Sequence, residues 1–132
     1  MAETPSKFLV LLEDDPFLQA LAVGQLSKLK SEGIELDYAS TADEARAIIE
    51  KRTPDLLLLD IMLPGKNGFD FLAELRANNK YKSMPVIIFS NLGQPDDIKR
   101  SKELGALSFH VKANTTLDEI SDEVRHVLTP KK

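Results

Sequence analysis

The sequence predicts a three-layer α/β fold, a parallel sheet of five strands with helices on both faces. Three apolar runs, FLVLL (8–12), LLLL (56–59) and VIIF (86–89), do not alternate polar with apolar residues. Such runs suit strands covered on both faces, as in a parallel sheet. Between them, apolar residues recur at helical spacing. The two patterns alternate along the whole chain as β-α-β-α-β-α-β-α-β-α, the order that βαβ units produce.

Each element has its own signal. After the first strand, Leu18, Ala22, Leu26 and Leu29 mark one face of a helix, with Pro16 suited to its first position. Gly33 sits where that helix stops, and IELDYAS (34–40) is a weaker second strand. Thr41-Ala42-Asp43-Glu44 is a capping-box pattern, followed by Ala45, Ile48 and Ile49. PDLLLLD supplies the third strand, and Phe71, Leu72 and Leu75 the third helix. Residues 95–104 offer only Ile98 and Leu104 as large apolar side chains, so this helix is expected to be the most exposed. Gly105 ends it, and ALSFHV (106–111) is the last strand. Leu117, Ile120, Val124, Val127 and Leu128 line the final helix.

The 132 residues favour one domain, with a core over residues 7–128 and short tails. That length buries a core without staples. A formal charge of −4, from 17 basic and 21 acidic residues, leaves no basic footprint for nucleic acid. With no cysteine, a disulfide framework and thiolate chemistry are excluded, which fits a reducing compartment. The opening MAETPSKFLVLLEDD has too short an apolar run for a secretory signal, and that run ends in acid. No stretch approaches the ~20 apolar residues of a membrane helix. The expected compartment is the cytoplasm.

The candidate chemistry lies where strands end. The first ends in Glu13-Asp14-Asp15, the third in Asp60, the fourth in Ser90 and the fifth near Lys112. A doubly wound sheet gathers these ends on one edge, where such folds bind ligands. Clustered carboxylates repel unless a cation neutralises them or one stays protonated. A few oxygen donors suit a hard ion that keeps several waters, which is Mg²⁺. Zinc is disfavoured, because there is no cysteine and neither His110 nor His126 falls at these ends. Lys112 is a compact charge for phosphoryl oxygens, and Ser90 can donate a hydrogen bond to one. Asp60, closing the most apolar strand, is the best-placed nucleophile for an acyl phosphate. The metal and Lys112 would together offset charge on the transferring group.

The motif Asp60-x3-Pro64-x3-Gly68 lies within PDLLLLDIMLPGKNGFDFL. With Glu13-Asp14, Ser90 and the run from Gly105-Ala106 through Phe109 to Lys112, it resembles the response-regulator receiver domains of two-component signalling. The resemblance covers residues 7–128. It implies a flavodoxin-like sheet with strand order 2-1-3-4-5. It further implies that Asp60 is the phosphoacceptor, and that Glu13, Asp14, Asp60 and the Met62 backbone carbonyl hold Mg²⁺. Ser90 and Lys112 would contact the phosphoryl group. Ser90 and Phe109 would form a switch that repacks the face of the fourth helix, fifth strand and fifth helix for a downstream partner. That face could also support a phosphorylation-dependent dimer. The implied donor is a sensor histidine kinase or a histidine phosphotransfer protein. Such a chain is a signalling module rather than an enzyme, assisting its own aspartyl phosphorylation and dephosphorylation.

Two positions depart from the family. Its lysine is usually followed by a cis proline, whereas Ala113 follows Lys112 here. A non-proline cis bond costs ~3 kcal/mol, so the loop should be strained or differently shaped. The residue after the switch hydroxyl is usually small; here Asn91 and Leu92 follow, and Asn91 should crowd the phosphoryl site and alter its kinetics.

Plainer readings stand beside these. Glu13 and Asp14 alone would be a solvated loop, and Asp15 before Pro16 is most simply a helix N-cap. Asp60 alone could cap a turn, although burial makes an unpaired carboxylate costly. Ser90 could satisfy a loop backbone, and Phe109 reads equally as core or switch. His110 and His126 read as ordinary, His126 falling in the last turn of a helix. Lys99, Arg100 and Lys102 read as a solvated face.

Other functions fit less well. An aspartyl phosphohydrolase of the haloacid-dehalogenase type would need Asp-x-Asp-Gly/Thr after the first strand and a cap domain. A flavodoxin-like cofactor binder would need a Ser-, Thr- or Gly-rich phosphate loop where this chain is acidic. A receiver-like module that binds partners without phosphorylation draws support only from Ala113 and Asn91. Whether the chain stands alone or belongs to a longer regulator is open. The division proposed for the acidic triplet has a direct check by calorimetric titration. Asp14→Ala should weaken Mg²⁺ binding far more than Asp15→Ala, and equal losses would undo the division.

Overall fold

A computed structural model describes residues 6–129 except Pro64, Lys66 and Leu92. Pro64 of the predicted motif and Leu92 beside Asn91 therefore lie outside the described residues. The elements in chain order are β1 (Lys7–Leu12), α1 (Pro16–Leu26), a 3₁₀ turn (Ser27–Glu32), β2 (Ile34–Ala39), α2 (Ala42–Lys51), β3 (Leu56–Leu59) and α3 (Gly68–Arg76). They continue with β4 (Val86–Ser90), α4 (Pro95–Glu103), β5 (Ser108–Val111), a 3₁₀ turn (Lys112–Asn114) and α5 (Leu117–Leu128). The sheet order is β2-β1-β3-β4-β5 and each pair is parallel, as predicted.

Period-two alternation within the buried strands explains the two cores. Val10, Leu12, Leu57, Leu59, Val86 and Ile88 face α2 and α3. Leu9, Leu11, Leu56, Leu58, Ile87 and Phe89 face α1 and α5. Every residue of β3 and β4 is buried. Apart from Ser90 at the end of β4, these strands are apolar because neither face meets water.

The ends of the elements follow local chemistry. Asp15 caps α1, its Oδ1 accepting the Phe17 and Leu18 N–H groups at 2.9 and 3.2 Å. Thr41 caps α2 through the Glu44 N–H at 3.1 Å. Glu44 does not close the predicted box on Thr41; its carboxylate takes the Ser40 N–H instead, at 2.8 Å. Leu29, expected in the first helix, lies in the 3₁₀ turn that tightens the chain toward Gly33, whose φ is +82°.

The last strand starts later than expected. Gly105, with φ +77°, donates to the Lys102 carbonyl, and Ala106 donates to that of Ser101. This left-handed closure uses Ala106 to end α4, so pairing on β4 begins only afterwards.

Among the described residues of α4, only Ser101 is buried, which agrees with the predicted exposure. The end of this helix is tied down from α3. The Arg76 guanidinium donates to the carbonyls of Leu104 (2.7 Å), Tyr81 (3.0 Å), Met84 (2.8 Å) and Gly105 (3.2 Å). On the other face, Glu123 of α5 accepts the Ser108 hydroxyl and pairs with the His110 ring, which is the ordinary structural role expected of that histidine.

Loss of the Arg76 clamp leaves several carbonyls short of donors at once. Arg76→Met should destabilise the fold by about 2 kcal/mol in urea unfolding, and Arg76→Lys by less.

Candidate functional site

The strand order determines what meets at the carboxyl edge. β1 and β3 are neighbours, and the connection after β1 runs to one side, to β2, while the connection after β3 runs to the other, to β4. The crevice at that switch point is where ligands bind in such sheets. Leu12 pairs with Leu59, so the next residues, Glu13 and Asp60, emerge side by side. The Asp60 N–H donates to the Leu12 carbonyl at 3.0 Å and holds this register past the strand ends.

Both acids are buried, Glu13 at 2 % and Asp60 at 4 % exposure, and one lysine joins them. Lys112 Nζ lies 2.7 Å from Glu13 Oε1 and 2.8 Å from Asp60 Oδ2. The remaining oxygens are occupied as well. Asp60 Oδ1 accepts the Met62 N–H at 3.0 Å, and Glu13 Oε2 accepts the Asp15 N–H at 3.1 Å. Asp14 is half-buried at the mouth of the cleft. One carboxylate oxygen from each of Glu13, Asp14 and Asp60 lies within 4.8 Å of the others.

Three carboxylates and one ammonium leave an excess of negative charge. Burial raises Glu13 from its ordinary 4.5 to about 7, and Asp60 beside it adds to the rise; the hydrogen bonds from Lys112 and from the Asp15 N–H oppose it. Burial also works against the charge on Lys112, but the hydrogen bonds to Asp60 and Glu13 outweigh it and hold the ammonium above its usual range. The cluster is one that a further cation would relieve. Three hard oxygen donors within a few ångströms match a divalent ion that keeps waters in its shell.

Met62, Asn91 and Asp15 complete the rim of this open cleft. Met62 is 52 % exposed, and Asn91 is exposed beside the acids, in the position where crowding was expected. Ser90 is buried at the end of β4, level with Val111 of β5. Phe109 is half-buried against the α2–α3 core. The peptide between Lys112 and Ala113 is trans, and residues Lys112–Asn114 form a 3₁₀ turn. Without the proline the loop is differently shaped rather than cis.

Gly68 shows why the β3–α3 loop needs glycine. A Cβ there would lie 2.5 Å from the Ile61 Cα and 2.7 Å from the Asp60 carbonyl oxygen. The Gly68 N–H donates to the Ile61 carbonyl at 2.8 Å, so the start of α3 is pressed against the backbone that carries Asp60.

Sequence reasoning missed Gln19. Its side-chain amide donates to the Glu13 carbonyl (2.9 Å), the Ala39 carbonyl (3.1 Å) and the Ser40 hydroxyl (3.1 Å). The signal was a polar residue three and seven places before Ala22 and Leu26, on the stripe that faces the sheet.

Comparison with known proteins places the chain in a family. A family model described as the response regulator receiver domain matches residues 9–125. The chain belongs to that family. As a receiver domain it is 33% identical over 122 residues to sporulation initiation phosphotransferase F of Bacillus subtilis, covering 92% of this chain and 94% of the relative. It is 38% identical over 104 residues to the transcriptional regulatory protein MalR of the same organism, covering 78% of this chain. The receiver spans less than half the length of MalR (43%) and of the phosphate regulon regulator PhoB of Rhizobium meliloti (46%).

Solved receivers share the fold. The Mn²⁺-bound form of response regulator Rcp1 superposes with a TM-score of 0.79 at 25% identity, covering 96% of this chain and 97% of that one. The BeF₃-activated receiver domain of Klebsiella pneumoniae RstA gives 0.79 at 29% identity, covering 93% and 99%. No helix among the described residues is long and apolar enough to cross a membrane.

The raised Glu13 has a measurable consequence. The folded receiver binds that proton more tightly than the unfolded chain, so this contribution is full below pH 4.5 and is lost as pH rises through about 7. Thermal denaturation in a chelating buffer should show the midpoint falling across that window. Glu13→Gln should flatten the fall.

Proposed function

We propose that the receiver accepts a phosphoryl group on Asp60 from a phosphohistidine donor in a Mg²⁺-dependent reaction. The observation that carries this reading is Asp60 at the switch point, bonded to Lys112 and within ligand reach of Glu13 and Asp14. An Asp60 carboxylate oxygen attacks phosphorus and forms the new O–P bond. The P–N bond of the donor breaks and its electron pair returns to the imidazole ring.

Glu13, Asp14, Asp60 and the Met62 backbone carbonyl would hold the metal. Bound there, Mg²⁺ would supply positive charge to the phosphoryl oxygens and offset repulsion from the acids. Lys112, already on Asp60 Oδ2, can pass its hydrogen bonds to the incoming oxygens. Ser90 donates its hydroxyl to the same group. Relatives support the chemistry by their names: one is a phosphotransferase, and structural neighbours are described as Mn²⁺-bound, BeF₃-activated and phosphorylated.

Residues 7–128 act as one domain, in which Ser90 and Phe109 transmit the change to the surface of α4, β5 and α5. A downstream partner or a second phosphorylated copy reads that surface. The donor is a sensor histidine kinase or a histidine phosphotransfer protein, the compartment is the cytoplasm, and the domain does not turn over an external substrate. Asn91 at the rim crowds the phosphoryl site and alters the rate of phosphorylation or hydrolysis.

Intact mass after incubation with Mg²⁺ and acetyl phosphate tests the reading. One added phosphoryl group is expected on the wild type and none on Asp60→Asn. A gain that survives the substitution removes Asp60 from its role. A wild type that takes up neither phosphate nor beryllofluoride is a receiver that works without phosphorylation.

A further inference from the structure

We infer that Gln19 is a positioning residue for the acidic site, setting the backbone from which Glu13 and Asp14 present their carboxylates. The inference rests on the phosphoacceptor reading above.

The argument starts with the β1–β2 ladder. Its last regular pair is Leu12 with Ala39, and the Glu13 N–H still donates to the Ala39 carbonyl at 3.0 Å. In a ladder that continued, the Glu13 carbonyl would take its next hydrogen bond from the N–H of residue 41. Thr41 is instead the cap of α2, where the chain turns away. The donor that reaches the Glu13 carbonyl comes from α1, as Gln19 Nε2 at 2.9 Å.

The same nitrogen lies 3.1 Å from the Ala39 carbonyl and 3.1 Å from the Ser40 hydroxyl. Two carbonyl acceptors assign the NH₂ end of the amide, since its oxygen could bond neither. One side chain thus replaces the missing ladder rung and ties the ends of β1 and β2 to the first turns of α1.

What Gln19 holds is the peptide that carries the acids. Glu13 has its carbonyl on Gln19, its N–H on Ala39 and its carboxylate on Lys112 and the Asp15 N–H. The rotation of the Glu13–Asp14 peptide decides whether the Asp14 oxygen stays within 4.8 Å of those on Glu13 and Asp60. Removing the amide leaves the carboxylates present but their shared peptide less well held. Groups that orient ligands in this way typically carry a tenfold to hundredfold share of metal affinity.

The test titrates Mn²⁺, followed by electron paramagnetic resonance of the free ion, into wild type, Gln19→Met, Gln19→Asn and Val23→Ala. Gln19→Met keeps the side-chain length and loses both donors. Gln19→Asn keeps the amide but stops one methylene short of the carbonyls. Val23→Ala is the stability control, because Val23 packs on the α1–α5 core away from the cleft. Gln19→Met should bind Mn²⁺ roughly tenfold more weakly. Gln19→Asn should fall between it and the wild type, with Val23→Ala unchanged. Amide exchange at Asp15, whose N–H bonds the Glu13 carboxylate, should quicken in Gln19→Met without metal. Wild-type affinity in both Gln19 variants, or an equal loss in Val23→Ala, overturns the positioning role and leaves the metal site standing. A wild type that binds no Mn²⁺ overturns the phosphoacceptor reading and the inference with it.

Discussion

Two carboxylates buried side by side, with one ammonium between them, are the constraint on which the carboxyl edge depends. Glu13 and Asp60 are neighbours because β1 and β3 are neighbours, and their backbones are held by ladder bonds that leave no freedom to separate. Moving apolar surface out of water supplies the driving force for that sheet, and the strand pairing then carries the acids together whatever their repulsion. Lys112, arriving from the far end of β5, reduces the repulsion but cannot cancel it, since a third acid stands nearby. The cluster therefore keeps an excess of negative charge that a divalent cation would relieve, which is how it differs from a simple buried salt bridge.

The loops around this cluster are shaped to keep it rigid. Gly68 lets the first turn of α3 press on the Asp60–Ile61 backbone, where a methyl group would collide. Asp15 spends its own carboxylate on the start of α1 and its N–H on Glu13. Three consecutive acids thus take three separate tasks: one buried against lysine, one at the cleft mouth and one closing a helix. Preorganisation of this kind lets hydrogen-bonding groups act on a transferring phosphoryl group without first reorganising.

The two faces of the sheet are not equally secured. α1 and α5 bury Ala22, Leu26, Ile120, Val124 and Leu128 in one core, and α2 and α3 fill the other. α4 contributes little, and its end is fastened by hydrogen bonds to Arg76 and by Leu104 and Ala106 against the core. An element with few buried apolar contacts opens at lower free energy than the rest of the domain. The most adjustable helix therefore adjoins β5, the strand that leads to Lys112.

Strand runs, helical stripes and glycine stops were legible in the amino-acid sequence because each depends on neighbours within a few residues. The gathering of Glu13, Asp14, Asp60, Ser90 and Lys112 at one edge was legible because each lies at or just past the carboxyl end of a strand, and a parallel sheet sends all those ends to one side. Tertiary structure decided what depends on distant segments meeting: Lys112 bonded to two acids, Glu13 raised toward neutrality by burial, and Glu44 turned to Ser40 instead of Thr41. It also decided the role of Gln19, whose acceptors lie 6, 20 and 21 residues away. Periodicity can say that a residue faces the sheet, but a hydrogen bond from a helix to the ends of two strands exists only once packing has set their spacing.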